Sequence, residues 1–112
     1  MFAMLEPPAQ YFHRTARVGQ TVKFPCDTKL REAVDWVRVS LLRRVETAIY
    51  WGNFGPRDLG RNRRFTVMDR NHWYSLVISN VTVADSAYYR CDEDNGLGNQ
   101  HYYLLIVQGT IQ

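Results

Sequence analysis

Two cysteines, placed around a tryptophan and a short patterned run, constrain this chain more than anything else in it. Cys26 closes an alternating stretch, Trp36 follows ten residues later, and the second cysteine ends the run Asp85-Ser-Ala-Tyr-Tyr-Arg-Cys91. With no CxxC and no Cys/His cluster, the pair reads as a single disulfide rather than a zinc site. A bridge closing a loop of about 65 residues removes enough unfolded-chain entropy to be worth roughly 4 kcal/mol. Such a bond persists only in an oxidising compartment, so the chain is expected outside the cell.

The pattern around these residues is that of short strands. Val22, Phe24 and Cys26 alternate with polar residues over 21–26, as a half-buried strand does. Further strands are expected at 34–40, 47–51, 64–68, 73–79, 87–92 and 100–107, with an edge strand at 14–18. Polar loops are expected at 27–32 and 52–62, and Asn95-Gly96 supplies a tight hairpin signal. No helical period and no internal repeat interrupts this series. The fold class is therefore all-β, an antiparallel two-sheet sandwich. A length of 112 residues suits one domain, 1–112, with residues 1–9 as an extended lead-in around Pro7-Pro8. The N-terminus lacks the basic and apolar regions of a signal peptide. No stretch approaches the ~20 apolar residues of a membrane span. The chain thus reads as an excised ectodomain whose membrane tether lies elsewhere.

The Cys26, Trp36 and Asp85–Cys91 residues together resemble the immunoglobulin superfamily, with the longer cysteine spacing of its V and I sets. The resemblance covers residues 18–107 and implies a Greek-key sandwich with one inter-sheet disulfide. It implies that Cys26 and Cys91 bridge the sheets, that Trp36 packs on the bridge, and that Tyr89 makes a tyrosine corner. It also implies an ion pair between Arg64 and Asp85 that closes the bottom of the sandwich.

If Trp36, Tyr89 and Cys91 point inward, alternation sends their neighbours outward. Val37 and Val39, Tyr88 and Arg90, and Leu104 and Ile106 then share the outer face of one sheet. In the family's lettering its strands are G, F, C and C′, and C′ is expected to add Ile49 or Tyr50, and Trp51. A contiguous apolar patch of this kind marks an interface, and the surrounding Tyr, Trp and Arg suit binding hot spots. A protein partner, in a homodimer or a heterodimer, is expected there.

Other candidates are weaker. His13, His72 and His101 are scattered. Asp92-Glu93-Asp94 is acidic but lacks calcium-loop spacing. No enzyme motif and no cofactor signature is present, so a binding function without catalysis, cofactor or metal is expected. Asn80-Val81-Thr82 is a glycosylation sequon. Arg57, Arg61, Arg63 and Arg70, with Arg43 and Arg44 nearby in sequence, suit sulfated glycans as forked guanidinium groups do. They also suit a solubilising edge that blocks strand pairing. A net charge of +3 is too small to argue for nucleic acid.

Two groups of relatives compete. Trp36-Val-Arg38 is similar to the strand C of immune-receptor V domains, but Val39 stands where those carry Gln, and residues 101–107 lack their F-G-x-G segment. The run Trp73 to Asp85, the short hairpin and the uninterrupted last strand resemble more closely the adhesion domains of the Dpr, DIP and IgLON type. That resemblance implies pairing through the C–C′–F–G sheet of a cell-surface receptor. The alternative it leaves is an innate-type immune receptor V domain that binds a glycan or pathogen surface.

Overall fold

The computed structural model describes residues 9–26, 34–52, 54–70, 73–93 and 98–109. In chain order the strands are β1 (Ala9–Arg17), β2 (Val22–Phe24), β3 (Asp35–Val39), β4 (Glu46–Trp51), β5 (Gly55–Pro56), β6 (Phe65–Arg70), β7 (Trp73–Ile78), β8 (Ala87–Asp92) and β9 (Gln100–Gln108). Two short 3-10 turns, η1 (Asp58–Arg61) and η2 (Val83–Asp85), join them. One sheet has the order β1-β9-β8-β3-β4-β5 and the other β2-β7-β6. The all-β sandwich expected from the sequence is the fold observed. The loop at 27–32 and the turn at Asn95-Gly96 lie outside the described residues. The strands flanking that turn pair antiparallel, Asp92 opposite Gln100.

The edge strand is longer than the sequence suggests. It runs parallel to β9 along its whole length, from Ala9 opposite Gln100 to Arg17 opposite Gln108. Of its nine residues only Ala16 is buried. Backbone pairing with β9, rather than burial of its own side chains, therefore holds it, and a hydrophobic pattern cannot reveal such a strand. Its end is sharp: the Gln20 amide donates to the Arg17 carbonyl, with Gly19 at φ 94° where a type II turn needs a positive value.

Between the sheets Val22, Phe24, Val34, Trp36, Leu76, Ile78, Tyr89 and Leu105 are all essentially inaccessible. Cys26 and Cys91 are bonded, with Cα atoms 6.3 Å apart. The Trp36 indole N–H donates to the Tyr74 carbonyl at 2.7 Å, which satisfies the one polar atom this large ring buries. Tyr89 donates to the Asp85 carbonyl at 2.6 Å, the corner expected of it. Burial drives the Tyr89 phenol well above its ordinary value of 10.0, so it remains a donor.

Strand β4 departs from simple alternation. Trp36 pairs with Tyr50 but Val37 pairs with Ala48, so Ile49 is the extra residue of a bulge. The bulge turns Ile49 into the core, where it is buried, and places Tyr50 against the core beside Trp36. The Ile49 carbonyl accepts from the Arg57 amide. Gly60 of η1 sits so close that a Cβ there would lie 1.8 Å from the Ile49 carbonyl oxygen. Glycine is needed at 60 for this approach, not for its dihedral freedom.

Below the core, Arg64 grips Asp85 bidentately, at 2.7 and 3.0 Å, and donates to the carbonyl of Asn80. Asp85 also accepts from the Thr82 amide. Burial alone pushes the Asp85 carboxyl up, but the Arg64 and Thr82 bonds outweigh it and hold it below its ordinary 3.8.

Two outcomes are expected. Gly60→Ala should destabilise by roughly 1–3 kcal/mol through overpacking, read as a lower urea midpoint at unchanged slope. Because the Asp85 pKa is lower folded than unfolded, its contribution is complete above 3.8 and is lost as pH falls through the folded value. Asp85→Asn should cost about 2–3 kcal/mol at neutral pH, since the Arg64 charge loses its partner. It should also flatten the acid limb of a stability-versus-pH curve.

Candidate functional site

Ladder register decides what the six-stranded sheet presents to solvent. Val37 lies opposite Arg90, which lies opposite Tyr102; Val39 lies opposite Tyr88, which lies opposite Leu104. Ile106 continues the row along β9. The parallel strand β1 extends the face, setting Tyr11 beside Tyr102, His13 beside Leu104 and Thr15 beside Ile106. The Tyr11 and Tyr102 rings stack at 4.8 Å, and Tyr88 meets Tyr102 edge-on at 6.4 Å. Three tyrosines from three strands thus form one aromatic strip beside Leu104 and Ile106, all half-buried except Tyr11, which is 69% exposed.

Across the middle of the face runs an ionic strap. Arg90 Nε donates to both oxygens of Asp92, at 2.8 and 3.0 Å. Its Nη groups reach Glu46 at 3.1 and 3.2 Å. Arg90 is on β8 and Glu46 on β4, with β3 between them. The guanidinium must therefore cross over the outer side of β3, where Val37 and Val39 stand. This corrects the expectation that the two valines lie bare. They are on the expected face, outside the core cluster, but each is only 8% exposed. Burial opposes the Arg90 charge, but its two carboxylates outweigh that and raise its pKa. The Arg90 bonds hold Glu46 below its usual range. On Asp92 burial wins, and the carboxyl is pushed up despite Arg90.

The other expected members fall elsewhere. Ile49 belongs to the core and leaves the face altogether, as does its alternative Tyr50. Trp51 ends β4 in a cluster with Phe54 and Arg57, whose guanidinium carbon lies 4.9 Å and 5.0 Å from the two ring centroids. Arg61 and Arg63 are exposed and line a depression of about 310 Å³ with Tyr50, Pro56 and Phe65. The Arg70 side chain and His72 lie outside the described residues. Asn80 is exposed in the turn after β7, at φ 51°. Asp92 is committed to Arg90, and Glu93 meets His101 Nε2 at 2.6 Å, while Asp94 is outside the described residues. Among the described residues no acidic, His or Cys group is arranged to hold a metal, and no helix is long and apolar enough to cross a membrane.

Sequence reasoning missed Tyr11, whose signal is the outward series Tyr11, His13, Thr15 once β1 is known to pair with β9. It also missed an apolar corner at the opposite end, where Leu42 is 96% exposed near Leu41 and Val83.

Residues 13–108 match the family model of the immunoglobulin V-set domain. The chain is a member of the immunoglobulin V-set family. No curated protein matches it. In V-set lettering β3, β4, β8 and β9 correspond to C, C′, F and G, so the tyrosine strip and the strap lie on the sheet the resemblance singled out. V-set domains are recognition modules, and here the tyrosine strip lies on the outer face of the larger sheet.

Replacing Arg90 with Met should leave Asp92 buried without its counter-charge and cost about 2–4 kcal/mol at neutral pH. The Asp92 pKa would rise further above 3.8, so the variant's deficit should grow as pH rises through that raised value and shrink in acid. Urea unfolding of both proteins across that range measures the difference.

Proposed function

We propose that this V-set domain is the extracellular recognition module of a cell-surface adhesion or recognition receptor, and that it pairs with a second copy of itself through the β1-β9-β8-β3 face. The observation that carries this reading is the strip of Tyr11, Tyr102, Tyr88, Leu104 and Ile106 beside a charge network in which Arg90 is held between Asp92 and Glu46. Aromatic and branched apolar side chains, half-exposed and contiguous, are the chemistry of interface hot spots. Arg90 is held between two carboxylates, so it does not face a second copy as a lone cation. The disulfide supports an oxidising, extracellular setting. Binding, not catalysis, is the activity proposed.

The glycan-binding alternative rests on Arg61 and Arg63, which are exposed on the far edge of the sandwich and meet no carboxylate among the described residues. A glycan site there would retain the protein on a heparin column and release it at moderate salt, because screening acts on exposed charges.

Sedimentation analysis should show wild-type mass rising with concentration. Leu104→Asp and Ile106→Asp should each weaken association by roughly tenfold or more while leaving the unfolding curve near that of wild type. Val39 is a poorer test position, because a charge beneath the Arg90 strap would disturb folding as well. Lys23→Asp, exposed on the opposite sheet, should associate like wild type. A wild type that stays monomeric to ~1 mM, or aspartate variants that associate unchanged, would contradict the proposal.

A further inference from the structure

The hairpin that ends the sheet carries a second feature, away from the tyrosine strip. Strand β4 turns back into β5 through a bend in which the Phe54 amide donates to the Trp51 carbonyl, and Gly55 pairs with Trp51 at a φ of 83°. This brings Trp51 and Phe54 together, ring centroids 6.2 Å apart and inclined at 63°. Both stay open to solvent, at 41% and 69% exposure. Arg57 follows β5, its backbone amide fastened to the Ile49 carbonyl at 2.9 Å, and its guanidinium lies against both rings.

Unlike Arg64 and Arg90, Arg57 meets no carboxylate among the described residues. Its Nε–H is shielded from solvent without an acceptor. The two Nη groups therefore carry all the hydrogen bonding that this guanidinium can offer. A guanidinium held against two aromatic rings keeps less freedom than a mobile surface arginine, so less is lost when a ligand arrives. Arg61 and Arg63 line the separate depression beside Phe65, which Arg57 does not line, so the clamp presents one cation rather than a cationic array. One oriented fork flanked by two exposed rings matches a planar carboxylate on an otherwise apolar partner surface. A chain of sulfates would need several cations in a row.

We propose that Trp51, Phe54 and Arg57 form a receiving site for an acidic side chain of a protein partner, the Nη groups of Arg57 gripping the carboxylate end-on while the rings contact the adjacent chain. The site lies outside the tyrosine strip and stands or falls independently of pairing through that strip.

The test uses the 112-residue chain and two capped pentapeptides, acetyl-Ala-Glu-Tyr-Glu-Ala-amide and its glutamine counterpart, followed by the Arg57 Nε–H and Trp51 indole N–H resonances in nitrogen-15 spectra. The glutamate peptide should shift both signals saturably, and the glutamine peptide should not. Arg57→Lys, which keeps the charge but loses the fork, should weaken binding by roughly fivefold or more while the rest of the spectrum stays dispersed as in wild type. Phe54→Ala should weaken it with Arg57 intact. Equal shifts from both peptides, no shift from either, or shifts produced by a heparin-derived hexasaccharide in preference to the glutamate peptide would each overturn the assignment.

Discussion

Everything on the surface of this domain is referred to one buried contact, the Cys26–Cys91 bridge with Trp36 and Tyr89 packed beside it in the core. The bridge joins β8 of the large sheet to the chain just beyond β2 of the small one. In chain-entropy terms it is worth roughly 4 kcal/mol, a large part of the ~5–15 kcal/mol that a domain of this size retains overall. Its geometric effect matters as much. Once Cys91 and Trp36 point inward, a period of two settles the direction of every side chain on β3 and β8, and the ladders carry that setting to β9 and β1. A one-residue slip would exchange the core for the face, and the Trp36 bond to the Tyr74 carbonyl helps to hold the register against it.

The outer face is not a leftover. Its charged residues are spent on one another, with Arg90 shared between Asp92 and Glu46 across three strands. This strap shields Val37 and Val39 and ties β4 to β8 over β3. The apolar surface left available therefore shifts toward β9 and β1, where Tyr102, Leu104, Ile106 and Tyr11 stand. The strap thus lies on the C′ side of the sheet and the tyrosine strip, the proposed recognition surface, on the G side. The Arg57 clamp occupies a third place, at the far end of β4.

The frame residues were legible because their spacing resembles the immunoglobulin pattern, which implied the roles of Cys26, Trp36, Tyr89, Cys91 and the Arg64–Asp85 pair. The outward parity of Val37, Val39, Tyr88, Arg90, Leu104 and Ile106 was legible because strand alternation follows from those inward residues. Their exposure was not, because it depends on where a long arginine side chain lands two strands away. Ile49 was misread because a bulge breaks the period of two without leaving a glycine or proline as a sign. β1 was misread because its ladder is made by backbone groups, and a hydrophobic pattern reports only side chains. The Arg57 clamp requires the β4–β5 hairpin to fold back on itself, which no local spacing encodes.

The most direct test of pairing through the tyrosine strip is a dilution series followed by methyl and aromatic NMR shifts. Self-association through this face predicts concentration-dependent shifts at Leu104, Ile106, Tyr88, Tyr102 and Tyr11. Val22, Ile78 and Thr66, an outward residue of β6, should stay still. Shifts centred on the small sheet, or a spectrum unchanged from micromolar to millimolar concentration, would contradict it.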